Sequence, residues 1–259
     1  MNWKKLLFVG LLGASLSLFN SCSTHYSSGA SAPNSAESSD AARLRSEATL
    51  RSGLGTGFGE EVESSISYTK FTRNGSKPSS VNVIYYNDKL GVDAMTHGSK
   101  VIGGAMQKSS DGLVEWGVKS QWSYAKNIHS EGKRFVIGKA GSKYSLVVKN
   151  IFHSRVEVVL SVDGIDVMDG KSASVKKRGY IINPGQTLEV KGFRTSEQAV
   201  ASFEYSSVAE SYSHLRHGDT RNVGVIGMAV YPEKIKLSWL MRNAETQRRE
   251  QASAFAEAP

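Results

Sequence analysis

The sequence predicts a mainly β fold, an antiparallel β-sandwich or partly open barrel, with a flexible N-terminal tether and a helix-prone C-terminal tail. Three observations carry this. Between Tyr144 and Tyr231 the chain runs as short apolar segments: YSLVVKN, RVEVVLSV, IDVM, RGYII, TLEVKGF, AVASFEYSS and NVGVIGMAVY. Val, Ile, Phe and Tyr dominate them, the residues that suit a pleated, half-buried surface. Asp163-Gly164, Asp169-Gly170 and Asn183-Pro184-Gly185 punctuate the run with turn chemistry. Many short strands between sharp turns point to a sandwich or barrel.

In chain order, residues 1–21 read as a lipoprotein-type signal peptide. Lys4 and Lys5 supply a positive start, Leu6–Phe19 an apolar stretch, and small Ser21 precedes Cys22. The stretch is too short and too broken by Gly and Ser to read as a membrane span. Cys22 is the only cysteine. An unpaired thiol is a liability in an exported chain, whereas directly after a signal segment it is well placed to accept acyl chains. Phe19 and Asn20 depart from the usual lipobox, and an ordinary secretory signal cleaved near Ser21 is the competing reading. With one cysteine the fold cannot rest on an internal disulfide.

Residues 22–51 form a tether with room for one short helix. Ser23–Asp40 is Ser- and Ala-rich and poor in large apolar residues, and Ala41–Arg51 has helix-forming composition with a thin apolar stripe. A first β-containing region spans 52–137. It opens on the Gly-dense run SGLGTGFGEE, which lacks the Lys-Ser/Thr close of a phosphate loop and fits a bulged edge. SSISYTKF and VNVIYYND flank Asn74-Gly75 and suggest a hairpin; KLGVDAMTHGSKVIGGAM suggests a strand and then a short helix. The central β domain spans 138–232. In RVEVVLSV, Val156, Val158 and Leu160 share one face, while Val159 on the other face predicts a strand covered on both sides. Residues 233–259 are a charged tail, helical or solvated beyond Arg242.

Composition bounds function only loosely. Of 259 residues, 39% are hydrophobic and 22% charged, as in an ordinary globular domain. The formal charge is +8, and loss of Lys4 and Lys5 with a signal segment lowers it by two. This describes a solvated basic surface or one facing an anionic partner such as lipid headgroups or acidic polysaccharide. Basic runs are not interleaved with aromatics, so no nucleic acid is expected.

Candidate sites are few. Asp163, Asp166 and Asp169 lack the spacing and closing Glu of a calcium loop and read as turn residues. His214 and His217 form one i, i+3 pair with no further ligand in view, so no metal and no cofactor are expected. No G-x-S-x-G elbow is present, and Glu115, Glu189 and Glu204 each sit in strand-like surroundings. Trp116 and Trp122, with Tyr85, Tyr86 and Tyr124, are the candidate ligand-binding residues, as a platform on which sugars stack; aromatics fill sandwich cores equally well.

Two sets of segments resemble known sequences. LRSGLGTGFGEE and YYNDKLGVDAM are similar to the N-terminal part of some uncharacterised bacterial exported proteins. SVDGIDVMDGKSAS, RGYIINPGQTLEVKGFRTS, AVASFEYSSV and NVGVIGMAVY resemble a family of bacterial envelope proteins of unknown function. In that family DGxDVxxG, GYxxxPG, GFR or GWR, and NVGVIG recur in this order. The resemblance covers Gly138–Tyr231, implies an envelope β protein and brings no catalytic residue.

The expected protein is therefore a lipoprotein anchored through Cys22 to a bacterial membrane, the outer one foremost, with a secreted or periplasmic location as the alternative. Its expected role is non-catalytic binding or structural work at the cell envelope, with an envelope protein or polysaccharide as partner. The alternatives are a carbohydrate-binding module and, further off, a hydrolase.

Overall fold

The computed structural model describes residues 39–99, 101–234 and 237–252; Cys22 and the signal-like segment lie outside them. Helix α1 (Ser39–Leu50) precedes strand β1 (Leu54–Glu63), strand β2 (Ser80–Asn87), helix α2 (Lys89–Thr96) and strand β3 (Val101–Gly104). Then come β4 (Gln107–Lys108), β5 (Val114–Ser120), β6 (Ser123–Tyr124), β7 (Lys126–Ser130) and β8 (Lys133–Ile137). The central strands are β9 (Lys143–Asn150), β10 (Val156–Val162), β11 (Ile165–Asp166), β12 (Tyr180–Ile182), β13 (Thr187–Val190), β14 (Gly192–Arg194) and β15 (Ala199–Ser207). Helix α3 (Tyr212–His217), strand β16 (Val225–Pro232) and helix α4 (Leu237–Glu250) follow.

The strands build two sheets that do not close into a barrel. One runs β1-β15-β9-β5-β4, with β6 beside β5, β13 beside β9 and β14 beside β15. The other runs β11-β10-β16-β2-β8-β7-β3, with β12 beside β10. Among the described strands the pairings are antiparallel except β2 with β8, which run parallel. Both sheets mix strands from the segments 52–137 and 138–232, because β1 pairs with β15 and β2 with β16.

Alternation sorts the side chains. Val114, Trp116 and Val118 of β5, Leu146 and Val148 of β9 and Val156, Val158, Leu160 and Val162 of β10 point into one shared core. Each buried aliphatic side chain contributes about 1.5–3 kcal/mol, which is what the fold rests on without a disulfide. Tyr144 stacks on Tyr205 with centroids 4.4 Å apart, and Phe203 meets Phe193 edge-on at 5.0 Å. Val159 is buried on the opposite face with Ala229 and Tyr231, so β10 is covered on both sides as its sequence predicts.

Three local expectations change. SSISYTKF makes no regular strand and no hairpin with β2; its Ser64 N and Ile66 N donate to the Gln198 and Glu197 carbonyls, and Arg73 beyond it bridges to Glu233. Beyond Lys89 the helix comes first and the strand second, because Asp88 caps α2 by accepting from Gly91 N at 2.7 Å. TLEVKGF breaks at Lys191 into β13 and β14. The Gly-dense run is strand β1, and its register shifts between Phe58 and Glu61, the bulge the sequence suggests. In α4, Arg242 and residues 244–250 are exposed.

Candidate functional site

Two polar constellations stand out. The first lies inside the sandwich. Val162 and Ile165 pair across a two-residue loop, Asp163-Gly164, in which both residues have positive φ (54° and 77°). Asp and Gly tolerate this conformation, and it matches the twist of a hairpin. The turn aims Asp163 into the core, where its carboxylate accepts from Tyr86 Oη at 2.6 Å, Thr56 N at 2.7 Å and Gly224 N at 2.9 Å. Thr56 Oγ1 lies 2.7 Å from Tyr86 Oη and 2.6 Å from Tyr144 Oη, so the network ties one sheet to the other. Burial pushes the Asp163 carboxyl up to about 6 against the downward pull of these hydrogen bonds. Burial also raises the phenols of Tyr86, Tyr144 and Tyr205 above their ordinary range. This cluster joins the two sheets.

The second constellation lies largely buried on the outer face of the β10–β16 sheet, beside a cleft that opens to solvent. Strand β10 turns Glu157 outward opposite Tyr231 of β16. Arg73 lies with its guanidinium 3.7 Å from the centre of the Tyr231 ring and donates from Nε to Glu157 Oε2 at 2.7 Å. Its Nη1 reaches the Val175 carbonyl at 3.2 Å and its Nη2 the Lys177 carbonyl, which fastens the 171–178 loop. Gly179 N donates to Glu157 Oε1 at 2.8 Å; a Cβ at Gly179 would stand 2.0 Å from the Val158 carbonyl, so only glycine permits this approach.

Phe71, Thr72, Arg73, Lys176 and Arg178 line a cleft of about 270 Å³ above this pair. Glu157 is buried and is not part of this lining; it lies within hydrogen-bond reach of Arg73 and 3.8 Å from Arg178 Nη1. Lys177 points elsewhere, to Asp169 at 2.8 Å. The lining therefore carries an excess of cations, with the Arg178 side chain 73% exposed. A planar guanidinium and a flexible ammonium on one rim suit an oxyanion.

The candidate residues expected from the sequence are not brought together. Trp116 is 2% exposed, inside the core, with Arg134 over its ring at 5.5 Å; Trp122 is 93% exposed at the β5–β6 hairpin tip. β5 turns Trp116 inward with Val114 and Val118, so the pair forms no stacking platform. Cys22 lies outside the described residues. Asp163, Asp166 and Asp169 diverge: Asp166 accepts from Met168 N at 2.9 Å and Asp169 pairs with Lys177. His217 Nε2 meets the Gly170 carbonyl at 3.1 Å, and buried His214 Nδ1 has no partner. Among the described residues, no group of three or more His, Cys, Asp or Glu could hold a metal ion, and no helix is long and apolar enough to cross a membrane.

Fold and cleft thus define a two-sheet β-sandwich with a cation-lined cleft on one outer face. Comparison with family models, curated proteins and solved structures returned no match. Sequence reasoning passed over Arg73, Lys176 and Arg178. The available signal was Glu157 itself, a lone charge in the otherwise apolar run VEVV, which burial obliges to find a partner.

Proposed function

We propose that the chain is a membrane-anchored bacterial lipoprotein with a non-catalytic binding role at the cell envelope, and that it binds phosphate-like oxyanions in the Arg73–Lys176–Arg178 cleft. The cleft carries the binding half of this reading: it is a cavity of about 270 Å³ whose rim holds more cations than its buried carboxylate offsets. The anchoring half is supported by Cys22 after its positive and apolar stretches, and by the resemblance of Gly138–Tyr231 to envelope proteins of unknown function. Two or more acyl chains, at about 0.8 kcal/mol per buried CH₂, hold a protein on a membrane essentially permanently. A phosphate-bearing surface then lies within reach of the folded domain.

Inorganic phosphate titrated into the protein at low ionic strength is expected to shift the backbone amides of residues 71–73 and 176–179 and to saturate. Lys176→Ala/Arg178→Ala should weaken that binding about tenfold, the effect of removing two screened charges worth roughly 1.4 kcal/mol together. Sedimentation of the Cys22→Ser chain with phosphatidylglycerol vesicles, but not with phosphatidylcholine vesicles, would identify anionic headgroups as the source. Phosphate binding without such sedimentation would point to a free phosphate compound. No saturable shift at these amides would sink the cleft assignment. The anchor has its own readout: wild type should carry acyl mass and stay with membranes through a high-salt wash, and Cys22→Ser should carry none and be released by the wash.

A further inference from the structure

The strand registers bring four connections together at one end of the sandwich. In one sheet β1 begins there beside the end of β15, Leu54 pairing with Ser207, and β9 begins beside the end of β5, Tyr144 pairing with Ser120. In the other, β2 ends beside the start of β16 and the end of β8, Tyr85 pairing with Val225 and Asn87 with Ile137. Leu54 N donates to Asn87 Oδ1 at 2.9 Å, so the two sheets share this end. Helix α1 lies on it: a Cβ at Gly218 would stand 3.8 Å from Leu44 Cδ1, and Arg51 Nη1 donates to the Thr220 carbonyl.

Among the described residues five large hydrophobic side chains are at least 71% exposed, and four of them stand at this end. Leu50 closes α1 just before β1, and Leu90 lies in the first turn of α2 just after β2. Trp122 is at the β5–β6 hairpin tip, and Leu215 is in α3 on the connection from β15 to β16. The fifth, Tyr68, belongs to the opposite end, where Arg155, just ahead of β10, donates to Thr69 Oγ1 and the Lys70 carbonyl. None of the four belongs to a core cluster, so the fold itself gives them no burial. Charges at this end are mixed, with exposed Lys139, Arg216 and Glu210 and the Arg221–Asp219 pair. The tip segment KSQWSYAK sets Lys119 and Lys126 on either side of Trp122 and holds no acid. An indole flanked by lysines suits the headgroup boundary of a bilayer, where the ring is partly buried and the ammoniums stay in water.

We infer that this end of the domain docks on the phospholipid bilayer that anchors the chain, with Trp122, Leu50, Leu90 and Leu215 entering the headgroup layer. The inference rests on the reading of Cys22 as the anchor. Cys22 and Ser39 are joined by 16 residues, a span of at most about 55 Å, and Ser39 opens the helix that lies on this end. Such a tether gives the bilayer surface an effective concentration of about millimolar, so a contact too weak to hold the free domain is populated in the tethered one. Strands β1 and β5 stand three strand spacings apart, about 14 Å, so Leu50 and Trp122 are separate projections rather than one packed patch. A fluid bilayer admits each projection by itself, whereas a protein partner would have to match all of them at once. Docked this way, the oxyanion cleft, beside the start of β10 and the end of β16, faces away from the anchoring bilayer, toward solution or an opposing surface.

The test places the acylated protein in phosphatidylcholine vesicles, with and without a lipid brominated on its acyl chains, and follows tryptophan emission. The expected result is a bromine-dependent quench whose Trp122 share is the difference from Trp122→Phe. Leu50→Ser/Leu90→Ser/Leu215→Ser should lower the ratio of docked to free domain at least tenfold, as three leucines leave a partly apolar layer, with an unchanged unfolding midpoint. Tyr68→Ser and Lys176→Ala/Arg178→Ala should leave the quench as it is, and so should high salt, which releases contacts made by charge. If the chain carries no acyl mass, Cys22, the only cysteine, is coupled through its thiol to a maleimide lipid in the same vesicles, so a failed anchor and a failed docking give different results. Trp122 emission untouched by bromine would overturn the inference. So would a quench that survives the triple leucine variant, or one lost in Lys176→Ala/Arg178→Ala, which puts the cleft on the membrane. A Cys22→Ser chain that dimerises through the same leucines would assign the surface to a second copy instead.

Discussion

Asp163→Ala is expected to lower the unfolding free energy by roughly 3–5 kcal/mol, a large part of the 5–15 kcal/mol typical of a domain. The carboxylate accepts from Thr56 N, Gly224 N and Tyr86 Oη and is 2% exposed, so alanine leaves three donors facing a dry cavity that water does not readily reach. The damage is not local. Thr56 belongs to one sheet and Tyr86 to the other, and the Thr56–Tyr144 hydrogen bond continues the tie, so the loss loosens the packing of sheet on sheet. Urea denaturation should show a lower midpoint, and a loss under about 1 kcal/mol would contradict the assignment of this cluster as the joint.

Asp163 also sets a pH dependence with a definite sign. Its carboxyl stands at about 6 in the folded protein against roughly 3.9 in an unfolded chain. Between those values the folded state holds the proton more often than the unfolded state does. The contribution of this group is therefore fully present below about pH 4, is lost as pH rises through about 6, and is flat above; it spans about 3 kcal/mol. Glu60, Asp111, Glu189 and Asp219 are held below their ordinary range and act in the opposite direction, losing stability as pH falls. The total profile mixes both, so the diagnostic quantity is the gap between wild type and Asp163→Asn. That gap should widen on acidification from pH 7 to pH 4.5. A constant gap would show that Asp163 titrates near its free value, and a narrowing one that its carboxyl is held below it.

The strands were legible wherever the determinant was local. Asp163-Gly164 and Asn183-Pro184-Gly185 turn where their residue types demand, with Gly164 and Gly185 at φ 77° and 75°. Val159 announced a second covered face, and Tyr231 with the 171–178 loop supplies it. The hairpin around Asn74-Gly75 was not realised because partner choice is a long-range matter. Strand β2 finds better pairing with β16 and β8 than with SSISYTKF, and no window of a dozen residues contains that comparison. The Asp88 cap before α2 was readable in principle, since Asp is a favoured N-cap, but the Gly91 inside the helix obscured it. Trp116 and Trp122 show the limit from another side. They are six positions apart, a spacing that alternation would put on one face, but Trp122 lies past the end of β5 at the hairpin tip, and only three-dimensional placement separates the 2% exposed ring from the 93% exposed one. The cleft is less legible still. Arg73 and Glu157 lie 84 residues apart.

Glu157→Ala is the second large effect, expected at about 3–5 kcal/mol, because it strips the counter-charge from a guanidinium whose side chain is only 13% exposed. The same change leaves Gly179 N without its acceptor. Arg73 would then be held only by the Val175 and Lys177 carbonyls and the Tyr231 ring, which stabilise a cation less than a carboxylate does. The double variant Arg73→Met/Glu157→Met separates charge burial from packing. It removes both ions together, so it should be less destabilised than Glu157→Ala, at about 1–3 kcal/mol for the backbone groups it orphans. Hydrogen exchange should report where the loss falls: residues 174–179 should exchange faster in Glu157→Ala, while the β5–β9 ladder should lose protection only through global unfolding. A double variant as unstable as Glu157→Ala would mean that shape rather than charge pairing holds the loop. An intact exchange pattern over 174–179 would separate the loop from the ion pair.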